Sequence, residues 1–212
     1  MESRAINVKA SKAKKVVINV IPGHFATNHS HINTYIDMTS VKCKHSMAEE
    51  AARALALKFE YSTPIDSIIC MDGCEVIGGF LASEIARCTR GLNKNEEINV
   101  ISPEYNTNGQ MIFRDNLQPM IVNKNVLLLV ASATTGKSIQ RSLDCIKYYG
   151  GNTVGICALF SAINSMEGIE IESLFDKNDF PNYLTYAPKD CPECKMGKRL
   201  DAIVNSFGYS KF

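Results

Sequence analysis

The chain has 212 residues, a net charge of +1 and 45% apolar residues. These totals fit one α/β domain with an ordinary core, and they argue against nucleic acid as a partner, which calls for a strongly basic surface. No apolar run reaches the roughly 20 residues of a membrane span, and residues 16–21 are too short for a signal-peptide core before Pro22-Gly23, so a cytoplasmic protein is expected.

Residues 1–15 are polar, carry Lys9, Lys12, Lys14 and Lys15, and read as a loose, solvated arm. Residues 16–20 form a short strand. Residues 22–37 are turn-rich and hold three of the four histidines, His24, His29 and His31. Residues 46–59 predict an alanine-rich amphipathic helix with Met47, Ala51, Ala54, Leu55 and the stem of Lys58 on its apolar side. Pro64 and Asp66 end the connection that follows. Residues 65–71 form a buried strand, 72–75 a loop, and 76–89 a helix with Gly78-Gly79 near its start, where a backbone or ligand can approach closely. Residues 98–102 are the next strand. Residues 103–119 are a long polar excursion with Asn106, Asn108, Gly109 and Asn116, and loops of that length are functional or mobile. A strand at 126–130, a helix at 138–149 stopped by Gly150-Gly151, and a strand at 153–160 make a β-α-β unit. Residues 169–174 and 183–185 are edge strands at best. This alternation predicts a mainly parallel sheet covered on both faces.

The most informative segment is VLLLVASATTGKSIQ, residues 126–140. Its apolar run suits a strand buried on both sides, and the hydroxyl-rich loop leaves backbone N–H groups free at a helix start, a site for phosphate. Thr134, Thr135, Gly136 and Ser138 are the candidate ligands, with Lys137 as a cation beside them; plain helix capping is the alternative. Ala131 to Ser138 also satisfies a loose P-loop pattern in which Lys137 reaches the phosphates and Ser138 holds Mg²⁺. The first glycine of that pattern is Ala131, and the strand at 154–160 ends in Ser161 rather than in an acid, so an NTPase is the third choice.

The same residues resemble the PRPP-binding motif of type I phosphoribosyltransferases, with Ala131 and Ser132 standing where that family has two acids. Gly23-His24-Phe25 with residues 31–37, Asp72-Gly73-Cys74-Glu75 before a helix, and Cys191-Pro192-Glu193-Cys194 with Gly197 resemble orotate phosphoribosyltransferase in the same order along the chain. The resemblance implies one domain of that fold. It would have a hood over residues 16–45, a core over 46–190 and a tail over 191–212. It implies transfer of phosphoribosyl from PRPP to orotate with Mg²⁺, in a homodimer. Ala133 to Ser138 would hold the 5′-phosphate, Ala131 and Ser132 would lie at the ribose, and Asp72, Gly73, Cys74 and Glu75 would face pyrophosphate. Asp72 and Glu75 would either bind Mg²⁺ through water or cap the helix at residue 76. Asn108, Gly109 and Arg114 would belong to the catalytic flexible loop, and Phe25 and Tyr35 to the base pocket. The missing acids leave a second possibility, a weakly catalytic or inactive PRPP- or nucleotide-binding regulator.

Eight cysteines are irregularly spaced. Cys70, Cys88, Cys145 and Cys157 read as reduced core residues. Cys191-x-x-Cys194 lacks a second such pair, and the histidines are far away in sequence, so a turn with two free thiols is expected rather than structural zinc.

Overall fold

The computed structural model describes all residues except 60, 62, 89, 90 and 108. The strands are β1 (Ile6–Lys9), β2 (Val17–Ala26), β3 (His31–Asp37), β4 (Ser67–Cys70), β5 (Asn99–Ile101), β6 (Glu104–Tyr105), β7 (Met111–Ile112), β8 (Asn125–Ala133), β9 (Asn152–Ser161), β10 (Ser165–Met166), β11 (Ile169–Phe175), β12 (Thr185–Tyr186), β13 (Ala202–Asn205) and β14 (Gly208–Lys211). The helices are α1 (Thr39–Cys43), α2 (His45–Ala56), α3 (Glu75–Arg87), α4 (Lys137–Tyr148) and α5 (Pro192–Lys195).

The central sheet has the order β10-β11-β9-β8-β4-β5 and is parallel except for β10. Strand β8 lies in the middle and is buried on both faces. Leu127, Leu129 and Ala131 enter the core shared with α2 and α3, while Val126, Leu128, Val130 and Ala133 enter the one beneath α4. A strand wetted on neither face needs apolar residues in both registers, which is why this segment reads as a continuous run. The expected parallel sheet with two covered faces is the observed one. β11, expected at an edge, pairs in parallel with β9 and is followed outward only by the two-residue β10.

A second sheet, β12-β3-β2-β13-β14 with β1 also on β2, forms the hood. Residues 22–37, expected to be turn-rich, are instead most of a β2–β3 hairpin whose register shifts between Pro22 and Phe25. The arm is not loose: β1 pairs with β2, Ala10 and Ala13 are buried, and Arg4 pairs with Asp201 at 2.6 Å. The 191–212 tail also belongs to this sheet, β13 pairing in parallel with β2 and β14 closing a hairpin on β13. Residues 46–190 include β12, which pairs with β3, so the hood draws on the chain well outside 16–45.

Helix α2 buries Ala48, Ala51, Ala52, Leu55 and Ala56, so its inner face is rotated from the one expected, and Met47 and Ala54 pack at the margin. It meets α3 through small residues. The predicted end of α3 at 89 lies outside the described residues. The excursion after β5 contains the β6–β7 hairpin and a short 3-10 turn at Gln118–Met120.

Gly78 and Gly79 differ sharply in surroundings. A methyl group on Gly78 would sit 2.2 Å from Cys70 Sγ and 3.2 Å from Val100 Cγ1, whereas one on Gly79 meets nothing within 4 Å. Gly78→Ala is therefore expected to cost about 1–3 kcal/mol through overpacking. Gly79→Ala should stabilise by about 0.5–1 kcal/mol, because alanine loses less entropy in a helix. Urea unfolding of the two variants would check this, and equal effects would contradict the packing described for α3 on β4.

Candidate functional site

Strand β8 continues to Ala133 and helix α4 begins at Lys137, so only Thr134, Thr135 and Gly136 lie between them. Gly136 has φ of 75°, in the left-handed region, and a methyl group there would lie 2.1 Å from Met166 Cε and 3.0 Å from Ile163 Cδ1. Both the turn and its packing require glycine. No side chain caps α4. The first helical bond runs from Gln140 N–H to Gly136 O at 2.8 Å, so the N–H groups of Lys137, Ser138 and Ile139 precede any carbonyl partner within the helix. All three residues line a cavity of about 530 Å³.

Much of the rest of the wall comes from the strand ends, the hood and the β6–β7 hairpin. Asp72 and Ala131 stand at the ends of β4 and β8. Thr27, His29, Ser30 and Tyr35 come from the hood hairpin, and Asn205, Ser206 and Phe207 from the β13–β14 turn. Tyr105 and Gly109 approach from the β6–β7 hairpin. Arg141 lies one turn along α4 from the loop and lines the same space. The cavity thus opens at the carboxyl ends of the parallel strands, where open α/β sheets bind ligands.

Asp72 is the only carboxylate among the described lining residues. It has φ of 60° and is followed by Gly73 at 76°, a tight left-handed turn that brings its carboxyl back over the strand ends. Burial pushes that carboxyl above the usual range. The Ser206 side chain, the Lys42 ammonium and the Ala131 N–H oppose the shift without cancelling it. Lys42 is itself buried. Its ammonium donates to Asp72 O at 3.1 Å and to Ser206 O, and it lies 5.8 Å from the centre of the Phe207 ring. One cation therefore joins α1, the turn after β4 and the β13–β14 turn.

The structure gathers only part of the expected site. Ala131, Ser132, Ala133, Thr134, Thr135, Gly136, Lys137 and Ser138 line the cavity together with Asp72, Gly109 and Tyr35. Gly73 and Cys74 do not, and Cys74 is fully buried beneath the turn. Glu75 faces a separate shallow cleft beside Glu49 and Arg87 and accepts a bond from Ser102 Oγ at 2.9 Å, so it lines a different space from Asp72. Arg114 is exposed and paired with Glu104 at 2.7 Å. Asn108 lies outside the described residues. Phe25 is fully buried in the hood core, 6.0 Å from Tyr35 between ring centres, and Tyr35 alone of that pair reaches the cavity. The β13–β14 turn and Lys42 were not foreseen. A lone lysine in a short polar helix carries no signature, and residues 205–207 act only through a strand pairing that spans most of the chain.

Cys191 and Cys194 do not form an isolated turn. The β2–β3 hairpin carries His24 and His31 onto them, with Cys191 Sγ 3.3 Å from His24 Nε2 and Cys194 Sγ 3.3 Å from His31 Nδ1. Distance along the sequence concealed this, because the two histidines face each other across antiparallel strands.

No family model matches the chain. An orotate phosphoribosyltransferase from Pelotomaculum thermopropionicum is 28% identical over 185 residues, spanning 84% of this chain and 86% of that one. Among solved structures, Trypanosoma brucei adenine phosphoribosyltransferase in complex with AMP, pyrophosphate and ribose-5-phosphate superposes with a TM-score of 0.55 at 12% identity, over 84% of this chain and 81% of that one. Mycobacterium tuberculosis orotate phosphoribosyltransferase in complex with PRPP gives 0.51 at 14% identity, over 68% and 82%. The chain has the type I phosphoribosyltransferase fold, and over more than four fifths of its length its sequence is similar to orotate phosphoribosyltransferase.

Proposed function

We propose that this chain transfers the phosphoribosyl group of PRPP to orotate, giving orotidine monophosphate and pyrophosphate in pyrimidine nucleotide synthesis. The observation that carries this reading is the uncapped start of α4, presented by a three-residue turn to a cavity large enough for a sugar phosphate and a base. The ring nitrogen of orotate, its proton lost to solvent, forms the new bond to C1 of the ribose as the C1–O bond to pyrophosphate breaks, and the bonding pair leaves with pyrophosphate. The transition state has oxocarbenium character, so the protein's part is to position the reactants and stabilise charge.

The N–H groups of Lys137, Ser138 and Ile139, with the hydroxyls of Thr134, Thr135 and Ser138, suit the 5′-phosphate. Lys137 and Arg141 add positive charge beside it. Tyr35, Tyr105 and Phe207 offer aromatic faces for the base. Asp72 would hold Mg²⁺ through water, and the ion would neutralise charge on pyrophosphate. The resemblance also implies a homodimer and a cytoplasmic enzyme; no helix among the described residues is long and apolar enough to cross a membrane.

Ala131 and Ser132 stand where the resembled motif has acids. Ser132 lines the cavity and keeps a hydroxyl there, and the Asp72 carboxyl lines the same space from the turn after β4. The altered acidic pair also favours a second reading, a PRPP- or nucleotide-binding regulator with little turnover. A P-loop NTPase is disfavoured. Three residues between β8 and α4 cannot wrap a triphosphate as an eight-residue P-loop does, and Asp72 does not lie on a strand end that follows the loop.

Steady-state pyrophosphate release from PRPP and Mg²⁺ tests the assignment, with orotate and other bases in parallel. Release that depends on orotate is expected. Silence with every base, alongside calorimetric binding of PRPP, would support the regulator instead. Gly136→Ala should weaken PRPP binding about 10-fold or more, because the left-handed turn costs an alanine roughly 1–2 kcal/mol and its methyl group collides with Met166.

Asp72→Asn should separate activity from stability. Loss of a charged hydrogen-bonding group worth about 1.5–3 kcal/mol lowers kcat/KM roughly 10- to 150-fold. Stability moves the other way. A carboxyl whose folded pKa is raised contributes stability that is present in acid and lost as pH climbs through that folded value. Asparagine carries no such charge and tolerates φ of 60°. The variant should therefore melt higher than the parent at pH 7, with the gap closing once pH falls below 3.8, the ordinary value for the side chain. A variant that is both less active and less stable at pH 7 would contradict this role.

A further inference from the structure

We infer that His24, His31, Cys191 and Cys194 form a structural Zn²⁺ site that locks the C-terminal segment to the hood hairpin. The four ligand atoms lie within 4.8 Å of one another. His24 Nε2 is 3.2 Å from His31 Nδ1, 3.3 Å from Cys191 Sγ and 3.5 Å from Cys194 Sγ, and Cys194 Sγ is 3.3 Å from His31 Nδ1. A tetrahedral ion with Zn–N of about 2.0 Å and Zn–S of about 2.3 Å needs ligand atoms roughly 3.3–3.8 Å apart.

The shell around the cluster is that of a metal site. His24 Nδ1–H donates to Lys198 O at 3.0 Å, which leaves Nε2 unprotonated and aimed at the two sulfurs. The His24 backbone is held from both sides, its N–H on Asp201 Oδ2 at 2.9 Å and its carbonyl on Asp201 N–H at 2.7 Å. Cys191 opens the one-turn α5, and Gly197, with φ of 71°, reverses the chain after it so that residues 202–205 can return along β2. Both sulfurs are free of disulfide. Two soft and two borderline ligands at tetrahedral spacing select Zn²⁺ over Mg²⁺, so this site is distinct in chemistry and position from the cavity.

The ion would act at a distance from the reaction. It joins β2 and β3 to the segment that leads into the β13–β14 turn, and that turn supplies Asn205 to Phe207 to the cavity wall. The test uses the full chain, purified under reducing conditions without chelator. Elemental analysis should give one Zn per chain. Cobalt exchanged into the protein should show the intense visible bands of a tetrahedral site and a sulfur-to-cobalt charge-transfer band. Cys194→Ser, at an exposed position, should lose most of the metal and that band, while Cys43→Ser, at an exposed cysteine elsewhere, should keep both. A reduced parent protein with no bound zinc and no tetrahedral cobalt spectrum would overturn the site, as would metal that survives both Cys194→Ser and His31→Ala. These readouts do not depend on turnover, so they stand or fall apart from the transferase assignment.

Discussion

The burial of β8 on both faces is the constraint on which the site depends. Its side chains alternate between two cores, so the strand can neither slide by one residue nor twist out of the sheet without exposing one set and overpacking the other. That fixed register delivers Ala133 to one place at the carboxyl edge. Gly136 then turns the chain into α4, held by Met166 and Ile163 of the next connection. The N–H groups at the helix start are therefore aimed before any ligand arrives. Preorganised dipoles of this kind need no rearrangement as charge develops, which is the main electrostatic advantage a protein site has over water.

The central sheet, α4 and the β6–β7 hairpin supply part of the cavity wall and the hood supplies much of the rest, and the hood is assembled from distant parts of the chain. β2 bonds to β3 along one edge and to β1 and β13 along the other, so residues 6–9, 17–37, 185–186 and 202–211 must come together before the wall exists. Lys42 joins this assembly to the carboxyl edge of the central sheet. A buried ammonium bonded to two carbonyls is costly to leave unpaired, and both of its acceptors, Asp72 O and Ser206 O, lie in turns that face the cavity. The spacing between those turns is consequently held by Lys42, together with the Ser206 side chain at the Asp72 carboxyl. A change in the C-terminal hairpin would be felt at Asp72 without either segment touching a ligand.

Local pattern made the central sheet legible. The strands around 67–70, 99–101, 125–133 and 152–161 and helices α3 and α4 follow directly from apolar runs, periodicity and glycine stops, and the turn between β8 and α4 follows from its hydroxyls and Gly136. The hood was not legible in the same way. Residues 22–37 contain proline, glycine and asparagine, which by themselves signal turns, yet pairing with three other strands holds most of them extended. The C-terminal strands are four residues each and have no strong alternation. Two expected site residues lie outside the cavity for a geometric reason. Glu75 lines the cleft beside Glu49 and Arg87, and Phe25 falls on the inner side of a strand where Tyr35, across the hairpin, holds the cavity face. Cys191-x-x-Cys194 was judged alone because spacing along a chain does not reveal a cross-strand pair of histidines.

The absent acid at 131 and the buried acid at 72 are best understood together. Cys70 is level with Leu129 in the β4–β8 ladder, and Asp72 lies beside Ala131 and accepts its N–H. Two carboxylates at adjacent strand ends would repel each other in a desolvated corner, and the pKa of at least one would be driven up. One acid is therefore what this corner accommodates. Placing it on the turn after β4, rather than at the end of β8, removes it from the strand ladder and brings it within reach of the Ser206 side chain and the Lys42 charge. Such a carboxylate is destabilising in the empty protein, because burial outweighs its partners. It becomes favourable when a cation or a developing positive charge enters the cavity. An electron-deficient ribose carbon is a charge of that sign, so the cost in the free protein is the same interaction that would favour the transition state over the ground state. On this view the alanine at 131 spares Asp72 a like charge nearby, and the altered motif is compatible with catalysis.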